Sequence, residues 1–151
     1  MKRTTLCYIE NNGEYLMLYR NKKKNDDNAG KWLGIGGKFE ADETADECCV
    51  REVFEETGIR LRGFHFYGVI RFRATTYEDE DMYLYSSDDF ELPAELPDCN
   101  EGELKWIPQD ELMSLPMWEG DRAFLQKILD GEKNISMTLQ YVGEECTIIE
   151  E

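Results

Sequence analysis

The sequence predicts an α/β fold in which helices pack on a mixed β-sheet. Three observations point there. Strand-like and helix-like segments interleave along the chain instead of falling into separate blocks. Hairpin signals open and close the sequence, so the sheet cannot be purely parallel. One segment, 44–57, carries helix signals at both ends and a helical apolar stripe between them.

Residues 3–10 and 14–20 are rich in Thr, Tyr, Ile, Leu and Met. Asn11-Asn12-Gly13 lies between them, which predicts a hairpin. Residues 21–31 are polar and aperiodic and predict a surface loop. Residues 32–37, WLGIGG, predict a short strand broken by glycine. In 44–57, Thr44 and Glu47 fit the capping box. Ala45, Cys48, Cys49, Val53 and Phe54 mark the buried stripe, and Gly58 the left-handed stop. Residues 64–74 and 81–87 predict two more strands, separated by an acidic turn (Asp79, Glu80, Asp81) expected to be solvated. The acidic stretch 88–103 holds Pro93 and Pro97 and predicts a loop. A short strand at 105–107, a short helix at 109–114 and a helix at 120–130 follow. That last helix should bury Ala123, Phe124, Ile128 and Leu129. Residues 135–142 and 146–149 predict the closing hairpin.

No repeat or linker interrupts the 151 residues, which are expected to form a single domain over 1–151. The 17 Lys and Arg against 33 Asp and Glu leave a formal charge of −16. That charge argues against a nucleic-acid polymer or an anionic membrane as partner, because phosphate backbones need a basic footprint. A small phosphorylated ligand stays possible if divalent cations stand between carboxylate and phosphate. The five cysteines are odd in number and form no C-x-x-C pair, so a reducing cytoplasm is the expected compartment. The apolar run 6–9 is too short for a signal peptide or membrane span. Trp32, Trp106 and His65, the sole histidine, read as structural residues.

The segment 37–59 carries the chemistry. On a helix Glu52, Glu55 and Glu56 share one face, where like charges repel unless solvent or a cation separates them. Arg51 can pair with Glu55 or with Glu43, and the Gly36-Gly37 pair lets backbone approach a ligand closely. The full spacing resembles the Nudix box, G-x5-E-x7-R-E-U-x-E-E-x-G-U with U aliphatic. Gly37, Glu43, Arg51, Glu52, Val53, Glu55, Glu56, Gly58 and Ile59 fill every specified position.

The resemblance implies a Nudix α/β/α sandwich with a mixed sheet, the Nudix loop-helix-loop, and hydrolysis of nucleoside diphosphate derivatives with Mg²⁺, or Mn²⁺ in its place. It implies metal ligation by Glu52, Glu55, Glu56 and the Gly37 carbonyl. In the catalytic set, Glu52 or Glu55 would orient or deprotonate the water, and Glu43 with Arg51 would form the supporting ion pair. Similarity extends further. Residues 31–38 (KWLGIGGK) look like the run preceding the box in MutT-type 8-oxo-dGTP diphosphatases. Residues 117–121 (MWEGD) look like their purine pocket, where Trp118 would stack on the base and Asp121 would accept from its edge. Glu101 stands where an extra acidic metal ligand is supplied. Leu33 replaces an Asn that reads the purine edge in the mammalian enzymes. Lys23 and Lys38 are candidates to meet the β- and γ-phosphates.

The expected activity is therefore a nucleoside triphosphate pyrophosphohydrolase, acting on an oxidised purine such as 8-oxo-dGTP, as monomer or homodimer. The alternatives are a housekeeping hydrolase of ADP-sugars or dinucleoside polyphosphates, and a nucleotide-binding regulator without turnover.

Overall fold

The computed structural model describes residues 1–150. β1 (Lys2–Asn11) and β2 (Glu14–Arg20) form the opening hairpin, with Asn11 opposite Glu14. Asn12 and Gly13 take φ of 53° and 82°, the primed turn whose twist matches the strands. The glycine-broken strand is two strands, β3 (Trp32–Leu33) on β2 and β4 (Ile35–Lys38) on β1.

Helix α1 (Ala45–Thr57) is closed at both ends by its own sequence. Thr44 accepts from the Glu47 amide, the Glu47 carboxylate accepts from the Thr44 amide, and Gly58, at φ 75°, donates to the Phe54 carbonyl. Cys48, Cys49 and Val53 are buried as expected. Phe54 is not: it points outward, with the Arg60 guanidinium 4.3 Å from its ring centre.

β5 (Arg60–Ala74) starts four residues before the predicted strand, and β6 (Glu80–Glu91) runs past its predicted end into the acidic stretch. Charged residues extend these strands because the far end of this ribbon has a solvated face. Arg62 there pairs with Asp89 at 3.1 Å across the strands. The loop is therefore 92–101, and Leu96 within it packs on the core. β7 (Gly102–Pro108), α2 (Gln109–Leu112), α3 (Glu119–Leu129), β8 (Met137–Val142) and β9 (Glu145–Glu150) complete the chain. In α3, Phe124, Leu125 and Ile128 are buried, whereas Ala123 and Leu129 are only partly covered.

The sheet runs β3-β2-β1-β6-β5-β8-β9, with β4 also on β1 and β7 also on β2. β1–β6 and β5–β8 are parallel and the other pairs antiparallel, so the sheet is mixed. Residues 4–9 of β1 are buried on both faces. Leu6 and Tyr8 join Phe124 and Leu125 of α3, while Cys7 and Ile9 join Cys49 and Val53 of α1. The period of two in one central strand thus divides the core into two layers, with α1 against one face of the sheet and α2 and α3 against the other.

Since Thr44 and Glu47 satisfy each other's amide, Thr44→Ala should lower stability by ~1 kcal/mol in urea unfolding, with the slope unchanged.

Candidate active site

Arg51, in the middle of α1, organises the site. Its Nε and Nη2 donate to the two oxygens of Glu43 at 2.6 and 2.9 Å. Nη1 donates to Glu52 and Glu55 at 2.8 and 3.0 Å, and Nη2 also donates to the Lys38 carbonyl at 3.0 Å. Both partners offered by the sequence, Glu43 and Glu55, are therefore used at once. The paired guanidinium holds the Glu43 carboxyl down at about 2, well below the ordinary carboxylate range.

Next to this hub, Gly37 of β4 faces Glu52. A Cβ at Gly37 would stand 2.6 Å from Glu52 Oε1, inside contact distance, so any larger residue would make the end of the Glu52 side chain shift from where Arg51 holds it. The Gly37 carbonyl itself receives the Cys48 thiol at 3.7 Å.

Glu52, Glu55 and Glu56 line a cavity of about 310 Å³ with Lys23, Asp98, Cys99, Asn100 and Glu101. Arg20 and Lys23 approach Glu101 at 3.3 and 3.2 Å. Burial, then the charges of Glu101 and Glu52, push Glu56 up to about 8, and burial also raises Glu52. Glu56 Oε2 is inaccessible to solvent and has no hydrogen-bond partner among the described residues. An orphaned carboxylate oxygen among further carboxylates is a donor set suited to a hard divalent cation. Ligand atoms of Glu56, Cys99 and Glu101 all lie within 4.8 Å of one another.

A second cavity, of about 170 Å³, opens among Leu33, Phe72, Tyr77, Trp118, Asp121 and Tyr141. Trp118, at the N-terminus of α3, donates its Nε1 proton to Asn28 Oδ1 at 2.8 Å. Lys31 Nζ sits 4.2 Å from the centre of the Trp118 ring, and Tyr141 meets that ring edge-on at 5.3 Å. Asp121 is 5% exposed and makes no side-chain hydrogen bond among the described residues. Burial, then the Glu80 charge, raises it to about 7, against the opposing pull of Lys31. Glu80, expected in a solvated turn, instead lines this cavity, held by Thr4 Oγ1 at 2.6 Å and Lys2 Nζ at 3.4 Å. The loop 21–31 borders both cavities, through Lys23 at the acidic one and Asp27 and Asn28 at the aromatic one.

The residues singled out from the sequence thus gather at two places. Glu43, Arg51, Glu52, Glu55, Glu56, Glu101, Gly37 and Lys23 meet around the acidic cavity, and Leu33, Trp118 and Asp121 at the aromatic one. Lys38 lines neither; its side chain is exposed and its carbonyl serves Arg51. Sequence reasoning missed Asn28, Lys31, Glu80, Cys99 and Tyr141. His65 is structural, its Nε2 2.8 Å from the Lys133 carbonyl.

This fold and acidic helix define a Nudix domain. Residues 1–128 match the NUDIX domain family, and the chain belongs to it; it is a Nudix hydrolase, acting on phosphoanhydrides. Among its relatives, an oxidized purine nucleoside triphosphate hydrolase of Danio rerio is 31% identical over 133 residues, 87% of this chain and 82% of the other. The Nudix hydrolase YvcI of Bacillus subtilis is 26% identical, over 95% of this chain and 89% of its own. Among solved structures, a MutT protein from Bacillus halodurans superposes with a TM-score of 0.87 at 25% identity, covering 98% of this chain and 96% of that one.

The raised Glu56 gives a pH prediction. Unfolded, this acid ionises near 4.5; folded and without a divalent cation, it holds its proton to about 8. The folded acid therefore destabilises nothing below pH 4.5, and stability falls as pH rises from there toward 8. Glu56→Gln should remove that fall, leaving the variant more stable than the parent at pH 8 in EDTA by on the order of a few kcal/mol. A divalent cation such as Mg²⁺ should raise the Tm of the parent, and the same variant should lose that increase. Gly37→Ala should likewise lose that increase, by displacing Glu52.

Proposed function

We propose that this chain is a nucleoside triphosphate pyrophosphohydrolase that releases a monophosphate and pyrophosphate from an oxidised purine nucleotide such as 8-oxo-dGTP, acting as one domain over 1–151. The observation that carries this reading is the pairing of an acidic cavity with an aromatic one along a single loop, 21–31. A triphosphate with a purine needs both kinds of wall. The name of the Danio rerio relative, an oxidized purine nucleoside triphosphate hydrolase, supports the same substrate class.

In this reading Glu52, Glu55, Glu56 and Glu101, with the Gly37 carbonyl, hold Mg²⁺, or Mn²⁺ in its place. The bound cation neutralises phosphate charge and lowers the pKa of water. Glu52, or Glu55 beside it, accepts the proton of the attacking water. Arg51 and Glu43 keep those carboxylates in place. Lys23 reaches the terminal phosphates by leaving Glu101, and Lys38, exposed and outside both cavities, would have to swing in to meet them. Trp118 stacks on the base and Asp121 takes its edge. At about 7, Asp121 stands near half ionisation in neutral buffer, so it can donate to or accept from that edge. With 33 acids against 17 Lys and Arg, the partner is the nucleotide and not a polymer, and the cytoplasm is the compartment in which we place it.

Leu33 favours a second reading. It lines the aromatic cavity and has no donor or acceptor for a base edge. A less selective enzyme, working on ADP-sugars or dinucleoside polyphosphates, accommodates it.

A substrate panel separates the two. With Mg²⁺ and equal concentrations of 8-oxo-dGTP, dGTP, dATP and ADP-ribose, ion-exchange chromatography should show 8-oxo-dGTP consumed fastest, with monophosphate and pyrophosphate as products. Preferred cleavage of ADP-ribose would establish the second reading, and tight binding without any product would make the chain a regulator. Glu52→Gln should lower kcat by ~10²–10⁴-fold if it is the base. Trp118→Ala should weaken substrate by ~1–3 kcal/mol, read as a rise in KM with kcat nearly kept.

A further inference from the structure

Cys99 has no part in the chemistry above, yet it stands inside the acidic cavity. It lies in the loop 92–101, just before β7, and an isolated bridge between Cys99 and Gly102 turns the chain so that residues 99 and 101 serve one corner. The turn is tied down from the other side: Lys22 Nζ donates to the Cys99 carbonyl at 3.1 Å, and the Lys22 amide to the Glu101 carbonyl at 3.4 Å. The thiol is free and buried, at 7% exposure. Its sulfur and one carboxylate oxygen each of Glu56 and Glu101 lie within 4.8 Å of one another. The carboxylate beside it carries the orphaned oxygen, Glu56 Oε2.

Two oxygen donors and one sulfur are not the set that Mg²⁺ selects. Hard cations take carboxylates and water, whereas thiolate favours the borderline and soft metals. Three protein donors with room for a solvent molecule are, in contrast, the donor count of an open zinc site.

We propose that Cys99 gives this corner a second metal preference: a thiophilic divalent cation of the Zn²⁺ or Co²⁺ class binds with Cys99 Sγ, Glu56 and Glu101 as ligands, in competition with the Mg²⁺ that uses oxygen donors alone. As the sulfur–metal bond forms, the thiol proton passes to solvent, and no electron is transferred. The inference rests on reading this cavity as the divalent-cation site. It adds a ligand and a metal class to that reading. An enzyme loaded with such a cation would answer to zinc availability as well as to substrate.

The test uses Co²⁺ as an optical probe on the whole chain. Equimolar Co²⁺ should produce a near-ultraviolet sulfur-to-cobalt charge-transfer band, and excess Mg²⁺ should reduce it. Cys99→Ser should abolish the band and weaken Co²⁺ binding, measured by calorimetry, by roughly the tenfold or more that disturbing a metal site brings, with Mg²⁺ affinity nearly unchanged. Cys48→Ser, which changes the other thiol near the site, should keep the band. X-ray absorption of the Zn²⁺-loaded parent should show one sulfur at ~2.3 Å, a readout that needs no variant to fold. Co²⁺ binding without the band, or a band that survives Cys99→Ser, would overturn the proposal while leaving the cation site intact. Failure of both Co²⁺ and Mg²⁺ to bind would overturn the cation site and this proposal together.

Discussion

The arrangement of the active site depends on one guanidinium. Arg51 spends its donors on Glu43, Glu52, Glu55 and the Lys38 carbonyl. It therefore joins the end of β4, the loop before α1 and the acidic face of α1 itself. Without it, three carboxylates would face one another across a short distance and swing apart toward solvent. Lysine could not replace it, because a single ammonium cannot hold a bidentate carboxylate and a carbonyl in fixed directions. The glycine at 37 is the steric counterpart: Arg51 holds Glu52 at 2.8 Å, and a Cβ at 37 would push the carboxylate off that position.

The local part of this design was legible because it obeys helical spacing. Arg51, Glu52, Glu55 and Glu56 lie on one helix, and the capping residues Thr44 and Gly58 announce that helix at both ends. The hairpins and the mixed sheet were legible for the same reason, since their signals sit within a few residues of each other. What the sequence hid is what the sheet assembles. Lys2 and Glu80 are neighbours only because β1 and β6 pair in parallel. Asn28 reaches Trp118 across 90 positions of chain. A charge run such as 79–81 looks solvated in one dimension, and only the parallel pairing turns Glu80 into a cavity wall. Phe54 erred in the other direction: its spacing fits the buried stripe, but Arg60 covers it at the surface instead. Trp118, Asp121 and Glu101 were found through likeness to a family, and no local rule would have marked them.

The two cavities solve one electrostatic problem differently. Each holds a carboxyl raised chiefly by burial, Glu56 to about 8 and Asp121 to about 7. Around Glu56 stand Glu52, Glu55 and Glu101, so a single proton relieves little of the repulsion and a divalent cation relieves much of it. Asp121 is raised by the charge of one acid, Glu80, and lowered by that of Lys31, between walls of Trp118, Phe72 and Tyr141. One proton, or one donated hydrogen bond, suffices there. Burial raises both acids, and the charges around them tell them apart. Where carboxylates crowd, the set suits a divalent cation; where aromatic rings surround a carboxyl, it suits a hydrogen-bonding partner. The loop 21–31 borders both cavities, with Lys23 on Glu101 at one and Asn28 on Trp118 at the other.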